Sequence, residues 1–280
     1  MEFTVHHAPG GPSDTATRIV SKAVGDNNFV IVNRPGAAGK LAVRHLLTER
    51  TVMLATMSQI YVANPLLFPD LDYNPEKDLE LIGLVASMPS VLVCNSSKGI
   101  KSVNDLRTSK SLNFGVAGYG SSEHLATEVL LRKTSTNHLV VPYSKGGSAA
   151  VQDMVAGFID CMFANYPTVK SWSGDSRLTF IMSSHKIDIK IPTWKQTFNE
   201  NFPFQSYLGL VVASKMDATA KAELTSKFNE AFKQREFIED LERAGLFPTV
   251  GTDKKTIELG LSNNSALRAF IFRNNIKMTQ

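Results

Sequence analysis

Apolar residues along this chain fall into short continuous runs that alternate with helical stripes. "FTVHH" (residues 3–7) precedes a stretch where Ala16, Ile19, Val20, Ala23 and Val24 recur at i, i+3, i+4, i+7 and i+8, one face of a helix. "FVIVN" and "VMLAT" read as strands buried on both faces, separated by a short helix after "NRPGAAG". "ELIGLVAS" and "SVLVCNS" are further strands. A second round follows: strand "LNFGVAG", a helix from Ser122 to about Lys133, strand "HLVVPY", a helix from Ser148 to Ala156 closed by Gly157, and strand "FIDCMFAN". Strand "LTFIMSS" leads into an irregular stretch holding Pro192 and Pro203, then strand "YLGLVVAS". Helices over about Ala218–Ala244 and Lys254–Asn274 complete the pattern.

Strand–helix alternation of this kind predicts an α/β fold with mostly parallel sheets flanked by helices. The strand–glycine–helix unit at residues 3–24 recurs at residues 112–133, which argues for two lobes. "LVCNSSKGIKS" and "LVVASKMDA" each end a strand in a polar stretch and read as the crossings between them, near residues 95–101 and 213–217. The lobes are then residues 1–100 with 217–280, and residues 101–216.

Composition agrees with a packed globular protein: 43% of the 280 residues are hydrophobic and 20% charged. The net charge of +4 comes from scattered Lys and Arg rather than a block, so a nucleic-acid partner is not indicated. Cys94 and Cys161 both lie in apolar runs without metal-ligand spacing and read as small core residues; a disulfide between them is open but not indicated. No apolar stretch has the length of a membrane span and no signal peptide is visible. Met1 stands two residues before a strand, as in a chain whose leader has been removed.

Candidate chemistry gathers at glycine turns that open helices. In "APGGPSD", Gly10 and Gly11 allow a tight turn, Ser13 reads as the helix cap, and Asp14 suits the first turn. Unpaired amides there could hold an anion, or the turn could be empty. His6 and His7 are adjacent strand residues expected on opposite faces, one structural and one exposed, so a metal site is rejected. "GYGSSEHL" (residues 118–125) is the second such turn. It lacks the G-x-S-x-G elbow of serine hydrolases, although Ser121 or Ser122 with His124 remains an alternative for a hydrolase or transferase. "RPGAAGK" fails the Walker pattern at Arg34 and Leu41. "VPYSKGGSAA" adds Tyr143, Lys145, Gly146 and Gly147 before a third helix, and "CMFANYP" places Asn165 and Tyr166 at the C-terminal end of a strand, where open α/β sheets bind ligands.

"APGGPSDTATRI", "NRPGAAG", "ANPLLF", "YNPEKDLELIGLVAS", "VLVCN", "LNFGVAGYGSSEHLA", "VPYSKGG", "MFANYP" and "GLVVAS" follow one another much as in the Bug-type solute receptors of tripartite tricarboxylate transporters. The chain resembles that family over nearly its whole length. The resemblance implies a two-lobed, type II periplasmic-binding-protein fold that closes on a carboxylate in its interlobe cleft. It also implies presentation of that ligand to membrane permease subunits, a periplasmic location, a monomer, no cofactor and no catalysis. Carried over by position, the ligand loops fall on Pro9, Gly10, Gly11, Ser13 and Asp14; on Thr56, Met57 and Ser58; on Gly118, Tyr119, Gly120, Ser121, Ser122 and His124; and on Tyr143, Lys145 and Gly146, with Ala164, Asn165 and Tyr166 at the pocket floor. Amides at Gly10–Ser13 and Ser121–Ser122 are expected to hold one carboxylate, while Tyr119, Tyr143 and Asn165 read the distal end. Ala164 stands where many members carry Asp, which implies a plain dicarboxylate without an ammonium group. Tyr143 to Asp153 is one residue longer than usual. A regulator's ligand-sensing effector domain shares the fold but needs a DNA-binding helix-turn-helix ahead of the first strand, where no room is visible.

Overall fold

The computed structural model describes residues 1–25, 29–49 and 51–273. Their strands, in chain order, are β1 (Glu2–Val5), β2 (Val30–Asn33), β3 (Thr51–Thr56), β4 (Leu79–Met88), β5 (Ser90–Asn95), β6 (Asn113–Val116), β7 (Leu139–Pro142), β8 (Cys161–Asn165), β9 (Leu178–Ser183), β10 (Ser206–Ala213) and β11 (Phe247–Gly251). They form a sheet of order β11-β4-β10-β3-β1-β2 and a second of order β7-β6-β8-β5-β9. The described residues divide into two compact units: Met1–Met88 together with residues 204–273, and Pro89–Pro203.

The α/β class and the two units agree with the hydrophobic pattern, but two details change. The sheets are mixed rather than mostly parallel. β1 pairs in parallel with β2 and β3, and β6 with β7 and β8, whereas β4, β5, β9, β10 and β11 all run antiparallel to their neighbours. The crossings lie at Met88/Pro89 and Pro203/Phe204, not near 95–101 and 213–217. The polar runs that suggested the later positions are caps. The Asn95 carboxamide accepts from the Ser97 amide and hydroxyl, and Asp217 caps the next helix through the Ala220 N–H. A polar cap and a polar linker look alike in sequence, but only the cap is spoken for.

In the first unit, Phe3, Val20, Leu54, Val85, Leu210 and Phe228 are buried in one cluster. Each such side chain contributes about 1.5–3 kcal/mol by leaving water. The helix Pro12–Val24 lays Ala16 and Val20 into this cluster. The long helix expected over 218–244 is two, Ala218–Phe232 and Arg235–Arg243, because Gln234 takes an extended conformation. The turn brings Phe237 back against Phe232, with ring centroids 5.3 Å apart. β11 was not visible in the pattern. It is an edge strand carrying Pro248, which has no N–H for a ladder, and its side chains are all half-buried.

The second unit packs around Phe163, Trp194 and Phe202, with Phe202 edge-on to both of the others. Cys94 of β5 and Cys161 of β8 stand directly opposite one another and form a disulfide, so they are not the free core thiols that the sequence suggested. No helix among the described residues is long and apolar enough to cross a membrane.

Candidate functional site

Each unit presents a glycine turn between a strand and a helix. In the first, β1 ends at Val5 and the chain turns through Gly10, whose φ of +82° suits glycine. Gly11, not Ser13, is the N-cap, and Pro12 takes the first helical position, where its missing N–H is no loss. Ser13 is thereby turned inward. Its hydroxyl lies 2.9 Å from His7 Nδ1 and 3.4 Å from Thr56 Oγ1, which joins the turn to the end of β3. Asp14 reaches back to the Gly10 N–H at 3.0 Å, pairs with Arg18, and accepts from Asn33 Nδ2 at 2.9 Å. Burial alone would raise its carboxyl, but the bonds from Arg18, the Gly10 N–H and Asn33 outweigh this and hold it below the ordinary value.

His6 and His7 depart from expectation. They fall beyond the end of β1, where strand alternation no longer applies, and their rings lie 3.9 Å apart. His6 is buried; burial pushes His7 down to about 4, partly offset by Gln59, so His7 is neutral near pH 7. After β3 the chain enters a π-helical turn, Ser58–Ala63, a conformation that often marks functional sites. The Ser58 hydroxyl in it is buried without a partner among the described residues.

In the second unit, β6 is followed by Gly118 and Gly120, both at positive φ, and Ser121 caps the helix Ser122–Thr134 through the His124 N–H at 3.1 Å. The Ser122 hydroxyl and the Asn165 carboxamide exchange hydrogen bonds at 2.9 and 3.2 Å, joining the turn to the end of β8. Glu123 lies buried behind them, accepting from the amides of Ala117 and Asn165. Burial raises it to about 7, the hydrogen bonds restraining the rise. His124 Nδ1 receives the Gly120 N–H at 3.1 Å, and burial lowers the ring to about 4. Tyr119 sets its ring edge-on to His124 at 5.3 Å.

The structure therefore sorts the sequence-derived residues. It joins Ser13 to Thr56, and Ser122 to Asn165. The amides of Gly10 and Ser121, two of the expected donors, are taken by the Asp14 carboxylate and the Gly118 carbonyl, and the Gly120 amide goes to His124 Nδ1. The amides of Ser13, Asp14, Ser122 and Glu123 open their helices, where no intrahelical acceptor exists. Tyr143 donates its hydroxyl to Asp153 at 2.7 Å, and burial, reinforced by this bond and the Asp153 charge, pushes it up to about 12. Its carbonyl lies against Gly118, and Gly146 caps the helix Gly147–Ala156. Lys145 is exposed, Ala164 is fully buried, and Tyr166 is buried with its hydroxyl on Asp188. No hydrogen bond links the His124 ring to Ser121 or Ser122 among the described residues, so the nucleophile–base contact of a hydrolase is absent there. Sequence reasoning considered His7 only as a rejected metal ligand and passed over Asn33 and Glu123. Asn33 opens "NRPGAAG" and Glu123 sits within "SSEH", so the motifs were noticed but not these members.

An open groove of about 700 Å³ in the first unit, lined in part by Glu80, Lys221, Asn229 and Phe232, shares no residue with these turns.

A family model described as "Tripartite tricarboxylate transporter family receptor" matches residues 15–273. The chain belongs to that family. Protein BugT of Bordetella pertussis is 25% identical over 91% of this chain and 83% of its own length. A solved structure described as a periplasmic transporter superposes with a TM-score of 0.89, covering 100% of this receptor and 98% of that chain at 24% identity. MatC from Rhodopseudomonas palustris with bound malate gives 0.85, covering 97% and 98% at 21% identity. The receptor thus has the α/β fold of the periplasmic solute-binding proteins.

Proposed function

We propose that this receptor binds a small dicarboxylate in the periplasm and presents it to the membrane subunits of a tripartite transporter. The observation that carries the reading is the paired chemistry of the two turns. Each offers free helix-opening amides beside a buried serine, Ser13 in one unit and Ser122 in the other, and each serine is hydrogen-bonded to the end of a neighbouring strand. Helix N-termini favour anions by roughly 0.3–1 kcal/mol when exposed and up to about 2 kcal/mol when partly buried.

The nearby acids support a ligand without an ammonium group. Asp14 is saturated by Arg18, Gly10 and Asn33, and both Glu123 oxygens accept N–H groups, so neither is left to pair with a cation. Bound malate in MatC supports the ligand class. The Cys94–Cys161 disulfide supports an oxidising compartment. Membership in a family of transporter receptors supports both the membrane partner and a non-catalytic role.

A thermal-shift series tests the reading: malate, adipate, citrate, aspartate and acetate, with the native protein. A ligand that binds only the folded state raises the midpoint. Dicarboxylates are expected to raise it most and aspartate least. A flat response to every carboxylate would overturn the proposal, and a rise with aspartate alone would overturn the choice of ligand.

A further inference from the structure

Glu123 is buried to 1% exposure, and no lysine or arginine among the described residues pairs with it. Its Oε2 accepts the Ala117 N–H at 3.0 Å. Its Oε1 accepts the Asn165 N–H at 3.2 Å and faces the Thr168 hydroxyl at 3.5 Å. A Cβ on Gly147 would stand 2.7 Å from Oε1 and 2.8 Å from Oε2, so the helix Gly147–Ala156 begins with its backbone packed directly on the carboxylate. One side chain thus meets four segments: the start of the 117–121 turn, the end of β8, the first turn of Gly147–Ala156, and the short helix Tyr166–Val169.

Two backbone donors on two different oxygens require two acceptors. A carboxylate supplies both. A protonated acid or an amide turns one oxygen position into a donor, which then faces an N–H or must find another acceptor.

We propose that Glu123 is a positioning residue for ligand binding: its ionised carboxylate fastens the 117–121 turn to the end of β8, so that Ser122, Asn165 and the helix-opening amides are held together for the ligand. The proposal rests on the carboxylate-receptor reading above. Because burial places this group near 7, the clamp is made and released by a proton within the neutral range. The other ionisable groups on the surrounding elements are engaged elsewhere. His124 receives Gly120 and lies 3.9 Å from Glu128 one turn on; Asp153 receives Tyr143; Tyr166 donates to Asp188, which also pairs with Lys170.

The sign of the stability effect separates positioning from a structural role. A carboxyl raised by folding adds stability that is fully present below its ordinary value and lost as pH rises through about 7. Relative to the native protein, Glu123→Gln is therefore expected to gain melting temperature as pH rises from about 6 to about 8, while binding more weakly.

The test measures malate and adipate affinity by calorimetry for the native protein and E123Q between about pH 8 and about pH 6. Native affinity is expected to fall on acidification; E123Q is expected to be weaker by roughly ten-fold at the upper end and flat across the range. Native-like affinity with an unchanged pH profile in E123Q overturns the proposal. So does a variant that loses binding while its stability relative to the native protein stays the same from about pH 6 to about pH 8, since that marks an ordinary structural contact. If neither acid binds the native protein, the receptor reading fails, and amide exchange still decides the positioning role. Protection at Ala117 and Asn165 of the native protein, corrected for intrinsic rates, is expected to drop on acidification; protection independent of pH overturns it.

Discussion

Asp14 and Glu123 occupy matching places: each is an acid in the first turn of a helix that follows a strand and a glycine turn, one in each unit. Their proton equilibria move in opposite directions. Asp14 has a guanidinium beside it and a donor from each flanking segment, and these overcome burial. Glu123 has donors but no cation, and burial wins. Position in a motif therefore does not set the charge state of an acid; the partners supplied by other segments do. Asp14 adds stability above the ordinary aspartate range that is lost as pH falls through its lowered value. The contribution of Glu123 is lost as pH rises through about 7.

The largest expected effect that separates the units comes from the disulfide, which only the second contains among the described residues. Replacing Cys94 and Cys161 by Ala is expected to remove about 2–4 kcal/mol from that unit. Both tryptophans, Trp172 and Trp194, lie in it, so urea unfolding followed by intrinsic fluorescence reads that unit directly. Exchange protection in β1 and β3 of the first unit is expected to stay unchanged; an equal loss there would mean the units do not unfold separately.

Gly147→Ala comes next. The added methyl would meet Glu123 at 2.7 Å, and the strain is expected to cost about 1–3 kcal/mol by the same fluorescence assay. In the first unit, Gly11→Ala at the N-cap of Pro12–Val24 meets nothing nearer than the Ala8 carbonyl at 3.6 Å and is expected to cost less. Equal losses at the two positions would show that the packing on Glu123 is not the reason for glycine.

The smallest effect sharpens the pH contrast. Asp14→Asn weakens the Arg18 pair and the charge-assisted bond to Gly10, and is expected to cost about 1–2 kcal/mol at neutral pH. Stability measured down the acid limb is expected to be flatter in this variant, because the group whose protonation is unfavourable has gone. An acid limb unchanged by the substitution would assign the acid sensitivity to other carboxylates.

Local features of this molecule could be read from its sequence; choices between distant partners could not. The helix at Ser122 follows from the glycine turn and the serine cap, both contained within a few residues. "SVLVCN" carries the same apolar signal whichever sheet it joins, and its place is decided by β8 and β9, far along the chain. The disulfide is the same kind of choice, between cysteines separated by 67 residues. Among the candidate residues, the glycines and serines announced themselves through turn chemistry. Glu123 did not, because a glutamate in a first helical turn ordinarily lies in water. Its burial depends on Gly147 and Asn165 arriving from other segments.

The position of the crossings has a further consequence for how this chain can be cut. Met88 and Ser206 are register partners in the antiparallel pair of β4 and β10. The whole second unit is therefore an insertion whose two ends emerge from neighbouring strands, where a tight hairpin would otherwise sit. Excising residues 89–203, so that Phe204 and Gln205 bridge Met88 to Ser206, is expected to leave the first sheet with every strand and every pairing in place. Each half of the receptor is then accessible as a continuous polypeptide.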